Sequence, residues 1–143
     1  MNSIVCMKQV PDTETRIQVK DGKIVEEGIQ YVVNPYDEYA IEEALRLKER
    51  FGEGKVTLIC LGPERAREAI LQGLALGADE AIHLNDEAFA GGDAYTTAQV
   101  LAAAIRKLSE SGTTYDIILT GKQAVDMDNA QVGIALAELL DLP

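Results

Sequence analysis

Short aliphatic runs alternate along this chain with longer stretches in which apolar positions recur every third or fourth residue. The short runs are Ser3–Met7, Lys55–Leu61, Ala81–Leu84 and Tyr115–Thr120. Near-continuous apolar runs of that length predict strands covered on both faces. Between them, Asn34–Phe51 predicts a helix with a stripe of Ile41, Ala44, Leu45 and Phe51. Asn34 suits its N-cap, Pro35 its first helical position and Asp37 the third residue after the cap. Gly52 and Gly54 close it. Gly62-Pro63 opens a second helix, with Ala66, Ala69, Ile70, Gly73 and Leu74 inward and Gly77 at its C-terminal cap. Asp93 is placed to cap a third helix running to about Glu110, with Val100, Leu101, Ala104, Ile105 and Leu108 inward. Asp128 is placed to cap a fourth, where Gln131 completes an Asp-x-x-Gln capping box before Val132, Ala135, Leu136, Leu139 and Leu140. Arg16–Glu27 predicts a hairpin: Ile17 and Val19 alternate on one arm, Ile24 follows on the other, and Asp21-Gly22 makes the turn.

Buried strands separated by amphipathic helices predict an α/β fold, a doubly wound and mainly parallel sheet with a small hairpin insertion after the first strand. In such a sheet ligands bind beyond the carboxyl ends of the strands, where the strand order reverses. That reversal is expected to set the first strand beside the fourth, so the loops after Met7 and after Thr120 face one crevice. Residues 1–143 are expected to form a single domain. The chain stops after a helix, where a fifth strand is expected, and this predicts a truncated chain or one completed by a partner.

Charge narrows the partners. Asp and Glu number 24 against 13 Lys and Arg, for a net charge of −11. Nucleic acid and anionic membrane surfaces both need clustered positive charge and are not expected partners. No apolar run is long enough for a membrane span, and MNSIVCMKQV is not a signal peptide, so a cytoplasmic location is expected. Cys6 and Cys60 lie inside strand-like runs, as small buried hydrophobes do, and with a single histidine they make no zinc site.

The chemistry concentrates at the strand exits. Gly121–Gly133 (GKQAVDMDNAQVG) follows the fourth strand and opens the fourth helix. Unpaired N–H groups at a helix start favour a phosphate. Lys122 is its one cation, while Asp126 and Asp128 count against a bare anion site unless Asp128 is spent as a cap; Asn129, Gln131 and the N–H groups after Asp128 then remain available. Lys8–Thr15 leaves the first strand as an irregular polar loop suited to a planar base or to a plain connection. Asn34–Asp37 reads equally as a helix cap and as a polar wall of the crevice. Gly91-Gly92-Asp93, with Thr96 and Thr97 in the following turn, reads as an ordinary capped helix or as a phosphate contact. There is no GxGxxG, no GxxxxGK[ST], and no Ser/His/Asp or Cys/His arrangement. His83 reads as structural, and nothing points to acid–base catalysis.

Assembled, these residues resemble the beta subunit of electron transfer flavoprotein across essentially the whole chain. The resemblance is carried by Val10-Pro11-Asp12-Thr13, by Val33 through Ala40 (VNPYDEYA), by Ala44 through Lys48 (ALRLK), by Leu61-Gly62-Pro63, by Leu76-Gly77-Ala78-Asp79 and by Gly121 through Asp126 (GKQAVD). It implies an adenine-nucleotide-alpha-hydrolase-like fold without hydrolase activity: an electron carrier subunit rather than an enzyme. It implies a heterodimer with an alpha subunit that holds FAD, and flavin dehydrogenases such as acyl-CoA dehydrogenase as partners. The beta subunit then holds AMP or, in electron-bifurcating members, a second FAD.

Carried onto this chain, the nucleotide contacts implied are Cys6 beside the adenine, Asn34, Pro35, Tyr36 and Asp37, Leu61, and the run Gly121, Lys122, Gln123, Ala124, Val125, Asp126, Met127, Asp128, Asn129, Ala130, Gln131 and Val132. Thr97 matches a threonine near the second flavin. Asn-Pro-Tyr-Asp, Gly-Gly-Asp and Ala-Gln-Val-Gly are similar to the bifurcating group, which implies FAD in preference to AMP. Ala94, Met127 and Asn129 depart from that group's pattern. Family members are also longer, which agrees with a truncated chain. A free-standing ATP- or AMP-binding module of the universal-stress-protein kind is the alternative, but Gly121 lacks the glycine three residues on that such modules carry.

Overall fold

A computed structural model describes residues 1–143. The main sheet has four parallel strands in the order β7-β6-β1-β8, namely Glu80–Leu84, Val56–Leu61, Ser3–Met7 and Ile117–Thr120. β1 and β6 are central and buried, as their unbroken aliphatic sequences require. β7 and β8 are half-buried edges. The first strand lies beside the last, as expected, with Cys6 level with Thr120 on one side and with Ile59 on the other.

Side-chain alternation along β1 builds two cores. Val5 and Met7 face α1 (Pro35–Phe51) and α2 (Arg67–Ala75), packing with Ile41, Ala44, Leu58 and Ile70. Ile4 and Cys6 face α3 (Ala94–Glu110) and α4 (Val132–Leu140), packing with Ile59, Leu101, Ile105 and Leu136. Helices therefore cover both faces, as a doubly wound sheet demands. Small residues let them lie close: a Cβ on Gly73 of α2 would sit 2.5 Å from Leu58 Cδ1.

The hairpin is present as β3 (Val19–Lys20) and β4 (Lys23–Ile24), with Asp21 and Gly22 at φ of 52° and 73°. Two consecutive positive φ values are what a type I′ turn needs. Its surroundings are more ordered than the sequence suggests. Gln9–Pro11, expected to be irregular loop, forms β2 and pairs antiparallel with β5 (Tyr31–Val33). These three-residue strands are too short to leave a periodic signal, and Pro11 at the end of the run masks one of them.

Helix ends also differ in detail. Phe51, expected on the inner stripe of α1, is 53% exposed. It occupies the last helical position, beyond the reach of the sheet, and Gly52 in the left-handed region ends the helix after it. Ala40 and Asp37 are buried on α1 instead. Asp128 does not cap α4: the helix begins at Val132, Gln131 holds the cap position without a side-chain bond, and no capping box forms. Asp128 sits at φ 52° and accepts from Gln123 Nε2 at 2.8 Å, so its carboxylate closes the loop on itself. Asp93 caps α3 as expected, accepting from Thr96 N–H at 2.8 Å. No helix is long and apolar enough to cross a membrane.

Candidate functional site

Three chain segments meet beyond the carboxyl ends of β1 and β8: the exit of β1 at Lys8, the first turn of α1, and the Gly121–Gly133 loop. Their junction is the buried pair Asn34 and Asp37, 1% and 6% exposed. Asp37 Oδ2 accepts from Lys8 N–H at 2.8 Å, and Oδ1 accepts from Gly121 N–H at 3.2 Å. Asn34 Nδ2 donates to the Gln123 carbonyl at 2.9 Å, while its Oδ1 accepts from Val125 N–H at 3.1 Å. Asn34 N–H donates to the Lys8 carbonyl at 2.8 Å. Asn34 therefore precedes α1 without capping it through its side chain. The expected local bond is replaced by contacts 89 and 91 residues away. Burial pushes the Asp37 carboxyl up from 3.8 to about 6, against the lowering pull of the Lys8 N–H, the neighbouring Asn34 side chain and the Gly121 N–H.

Such close seating requires glycine at 121. A Cβ there would lie 2.3 Å from Asp37 Oδ1 and 2.5 Å from the Tyr36 carbonyl carbon. Beyond it the loop runs without regular structure. Lys122, Asp128 and Ala130 all take positive φ, a costly choice for a residue with a side chain. Backbone strain of this kind gathers at ligand sites and switches. Its consequence is visible in the donors: the N–H groups of Asn129 through Ile134 meet no acceptor within the chain, and the first helical bond of α4 runs from Ala135 N–H to the Gln131 carbonyl at 2.9 Å. Gly133 packs the helix start onto the end of β8, where a Cβ would fall 2.7 Å from Thr120 Oγ1.

A crevice of about 250 Å³ opens beside this junction, between the strand exits and the hairpin. Its walls include Lys8, Asp126, Leu61, Tyr31, Arg65 and Ile24. Lys8 Nζ holds both oxygens of Asp126, at 2.9 and 2.7 Å. The Arg65 guanidinium lies 3.9 Å from the Tyr31 ring centre and donates to Gln9 Oε1, while Gln9 Nε2 returns a bond to the Arg65 carbonyl.

Among the residues expected at the site, Asn34, Asp37 and the loop from Gly121 to Val125 are in direct contact. Pro35 and Tyr36 lie in the same helical turn, with Tyr36 backbone against Gly121. Cys6, one residue before the end of β1, and Leu61, the last residue of β6, face the α3/α4 core, as does Val132. Thr97 is half-buried in the first turn of α3 on that side, its N–H bonded to the Asp93 carbonyl. Asn129, Gln131, Met127 and Lys122 are exposed, Met127 at 68%. Leu61 and Asp126 alone of the expected set line the crevice. Sequence reasoning named Lys8 only as the start of the strand-exit loop and gave it no role of its own, yet its N–H bonds Asp37 and its ammonium bonds Asp126. The signal was a cation directly after a strand end, but its partner Asp126 is 118 residues away. Cys6 and Cys60 are free and buried, and burial pushes both thiols up to about 12. His83, read as structural, contacts the Gly62 carbonyl at 2.9 Å.

Comparison with known proteins gives a consistent result. Residues 21–143 match the family model described as "Electron transfer flavoprotein domain". The chain is 48% identical over 144 aligned positions to "Electron transfer flavoprotein subunit beta" of Clostridium acetobutylicum, covering 100% of this chain and 53% of that protein. It is 46% identical over 142 positions to "Protein FixA" of Azotobacter vinelandii, covering 99% of this chain and 50% of that one. With the beta subunit of Megasphaera elsdenii it shares 43% over 146 positions, covering 100% of this chain and 54% of that subunit. The chain thus spans about half the length of the curated relatives it matches.

Proposed function

The chain belongs to the electron transfer flavoprotein family, and on that premise we propose that it forms the nucleotide-holding part of a beta subunit, which works with an alpha subunit to pass electrons between flavin dehydrogenases and an acceptor. The observation that carries this reading is the run of unpaired N–H groups from Asn129 to Ile134, at the far end of the loop that follows the strand adjoining β1. Donors aimed out of a strained loop at a helix start suit the phosphates of an adenine nucleotide. Cys6 and Leu61 offer an apolar bed for the adenine, and Thr97 a hydroxyl above the same face. FAD is the preferred ligand and AMP the alternative. Bound FAD would supply the redox-active flavin; the chain's own residues bind and orient it. The Asp37 and Asn34 contacts hold the loop. A reducing cytoplasm suits the two free thiols. The family match does not favour a free-standing stress-protein-like module.

The test is to release and identify the nucleotides of the full-length protein purified with its partner, by denaturation, chromatography and mass. Two FAD per heterodimer is the expected result. One FAD with one AMP overturns the second flavin and keeps the site. No adenine nucleotide beyond the alpha subunit's FAD overturns the reading of the Gly121–Gly133 loop.

A further inference from the structure

Asn34 and Asp37 stand at the junction of the site, and their bonding partners differ in kind. Asn34 meets one acceptor, the Gln123 carbonyl, and one donor, Val125 N–H. An amide satisfies both without taking up or losing a proton. A carboxylate at that position would face the Gln123 carbonyl without a proton to give, and an aliphatic side chain would leave both partners unmet. Asp37 meets two donors, the N–H groups of Lys8 and Gly121, one on each oxygen. Only a carboxyl group accepts on both sides; an amide would turn an N–H against an N–H. The two residues are nearly equal in size, so their order is fixed by hydrogen-bond polarity and not by packing. Both are almost fully buried, and the bonds described occupy both polar atoms of each side chain.

From this geometry we infer that Asn34 and Asp37 are positioning residues, which act on the nucleotide by holding the β1 exit and the Gly121–Val125 backbone in one arrangement rather than by touching the ligand. The clamp grips the loop at Gly121, Gln123 and Val125, immediately before the strained turn at Asp128 and Ala130 and the free donors that follow. A loop released at its root would no longer hold those donors in one arrangement. The inference rests on the proposed nucleotide site, and it reassigns the roles of these two side chains within it. The effect of the pair should therefore fall on the phosphate end of a ligand and spare the nucleoside end.

The decisive variant is the charge-neutral exchange Asn34→Asp with Asp37→Asn, made in the full-length chain in its native complex. It keeps composition, size and net charge but mismatches one bond at each residue: position 34 loses its donor to the Gln123 carbonyl, and position 37 turns an N–H against the N–H of Lys8 or of Gly121. After removal of the resident nucleotide, AMP affinity is expected to fall by at least about tenfold while adenosine affinity changes by less than about threefold. Amide hydrogen exchange at Gly121 and Val125 is expected to accelerate by at least about tenfold, with the amides of β1 and β6 unchanged. If the exchange variant does not fold, Asn34→Ala removes only the loop bonds and carries the same two readouts. Equal losses for AMP and adenosine would overturn the inference by showing that the side chains contact the nucleoside. Unchanged AMP affinity, or unchanged exchange at Gly121 and Val125, would overturn it too. Failure of the wild-type complex to bind AMP or adenosine would instead sink the underlying nucleotide site, and the exchange measurement would still decide whether the clamp exists.

Discussion

At the start of α3, Asp93 accepts from the N–H three residues on, and the bond stays within the helix it begins. At the start of α1, Asn34 holds the same position and leaves that bond unmade, turning its amide to a loop 89 residues later in the chain. Both residues are common N-caps, and both are followed by helices of 17 residues. What separates them is burial. Asp93 is exposed and finds its nearest partner, its own backbone. Asn34 is enclosed by two other segments whose backbone groups have no other partners, and satisfying those groups outweighs a local cap. A polar residue at a helix start is thus spent on its own helix only where nothing else is buried against it.

The contrast can be tested in order of expected effect. Asp37→Ala strips an acceptor from two buried N–H groups at once and is expected to cost about 3 kcal/mol of unfolding free energy, measured by urea denaturation. Gly121→Ala forces a Cβ to within 2.3 Å of the Asp37 carboxylate and is expected to cost about 2 kcal/mol, together with loss of nucleotide from the purified complex. The same carboxylate should make stability depend on pH. Its folded value of about 6 lies above 3.8, so the folded state binds the extra proton; the stabilisation is complete below about pH 4 and is lost as pH rises through 6. Urea titrations should show a downward contribution of about 1 kcal/mol per pH unit in that window, absent in Asp37→Ala. Asp93→Ala is the smallest change, a lower urea midpoint than wild type but a smaller drop than that of Asp37→Ala or Gly121→Ala, with nucleotide retention unaltered. A loss at Asp93 as large as that at Asp37 would erase the distinction between the two helix starts.

The position of β1 beside β8 was legible because doubly wound sheets reverse their strand order there, and the strand–helix alternation and the hairpin turn at Asp21-Gly22 because each follows from hydrophobic period or turn chemistry within a few residues. Asp93 was legible for the same reason. The roles of Asn34 and Asp128 were not. Each looked like a cap by spacing, and each is claimed by a partner that spacing does not reveal: the Gln123 carbonyl for Asn34, the Gln123 side chain for Asp128. The Lys8–Asp126 pair was hidden likewise by sequence distance. The meeting of the strand exits was therefore readable from topology, and the wiring of this candidate site was not, because that wiring consists of long-range bonds to backbone atoms, which are the same in every residue.

Cys6 and Cys60 lie on neighbouring central strands, yet one thiol faces α3 and α4 and the other faces α1 and α2. The sheet between them bars a disulfide, and burial keeps both protonated and unreactive at neutral pH. Each thiol is thereby a private sensor of its own layer. An alkylating reagent added at rising denaturant would mark one cysteine when the α3/α4 layer lifts and the other when the α1/α2 layer lifts. Mass mapping of the two labels would report, without any substitution, whether the protein opens as one unit or peels from one side first.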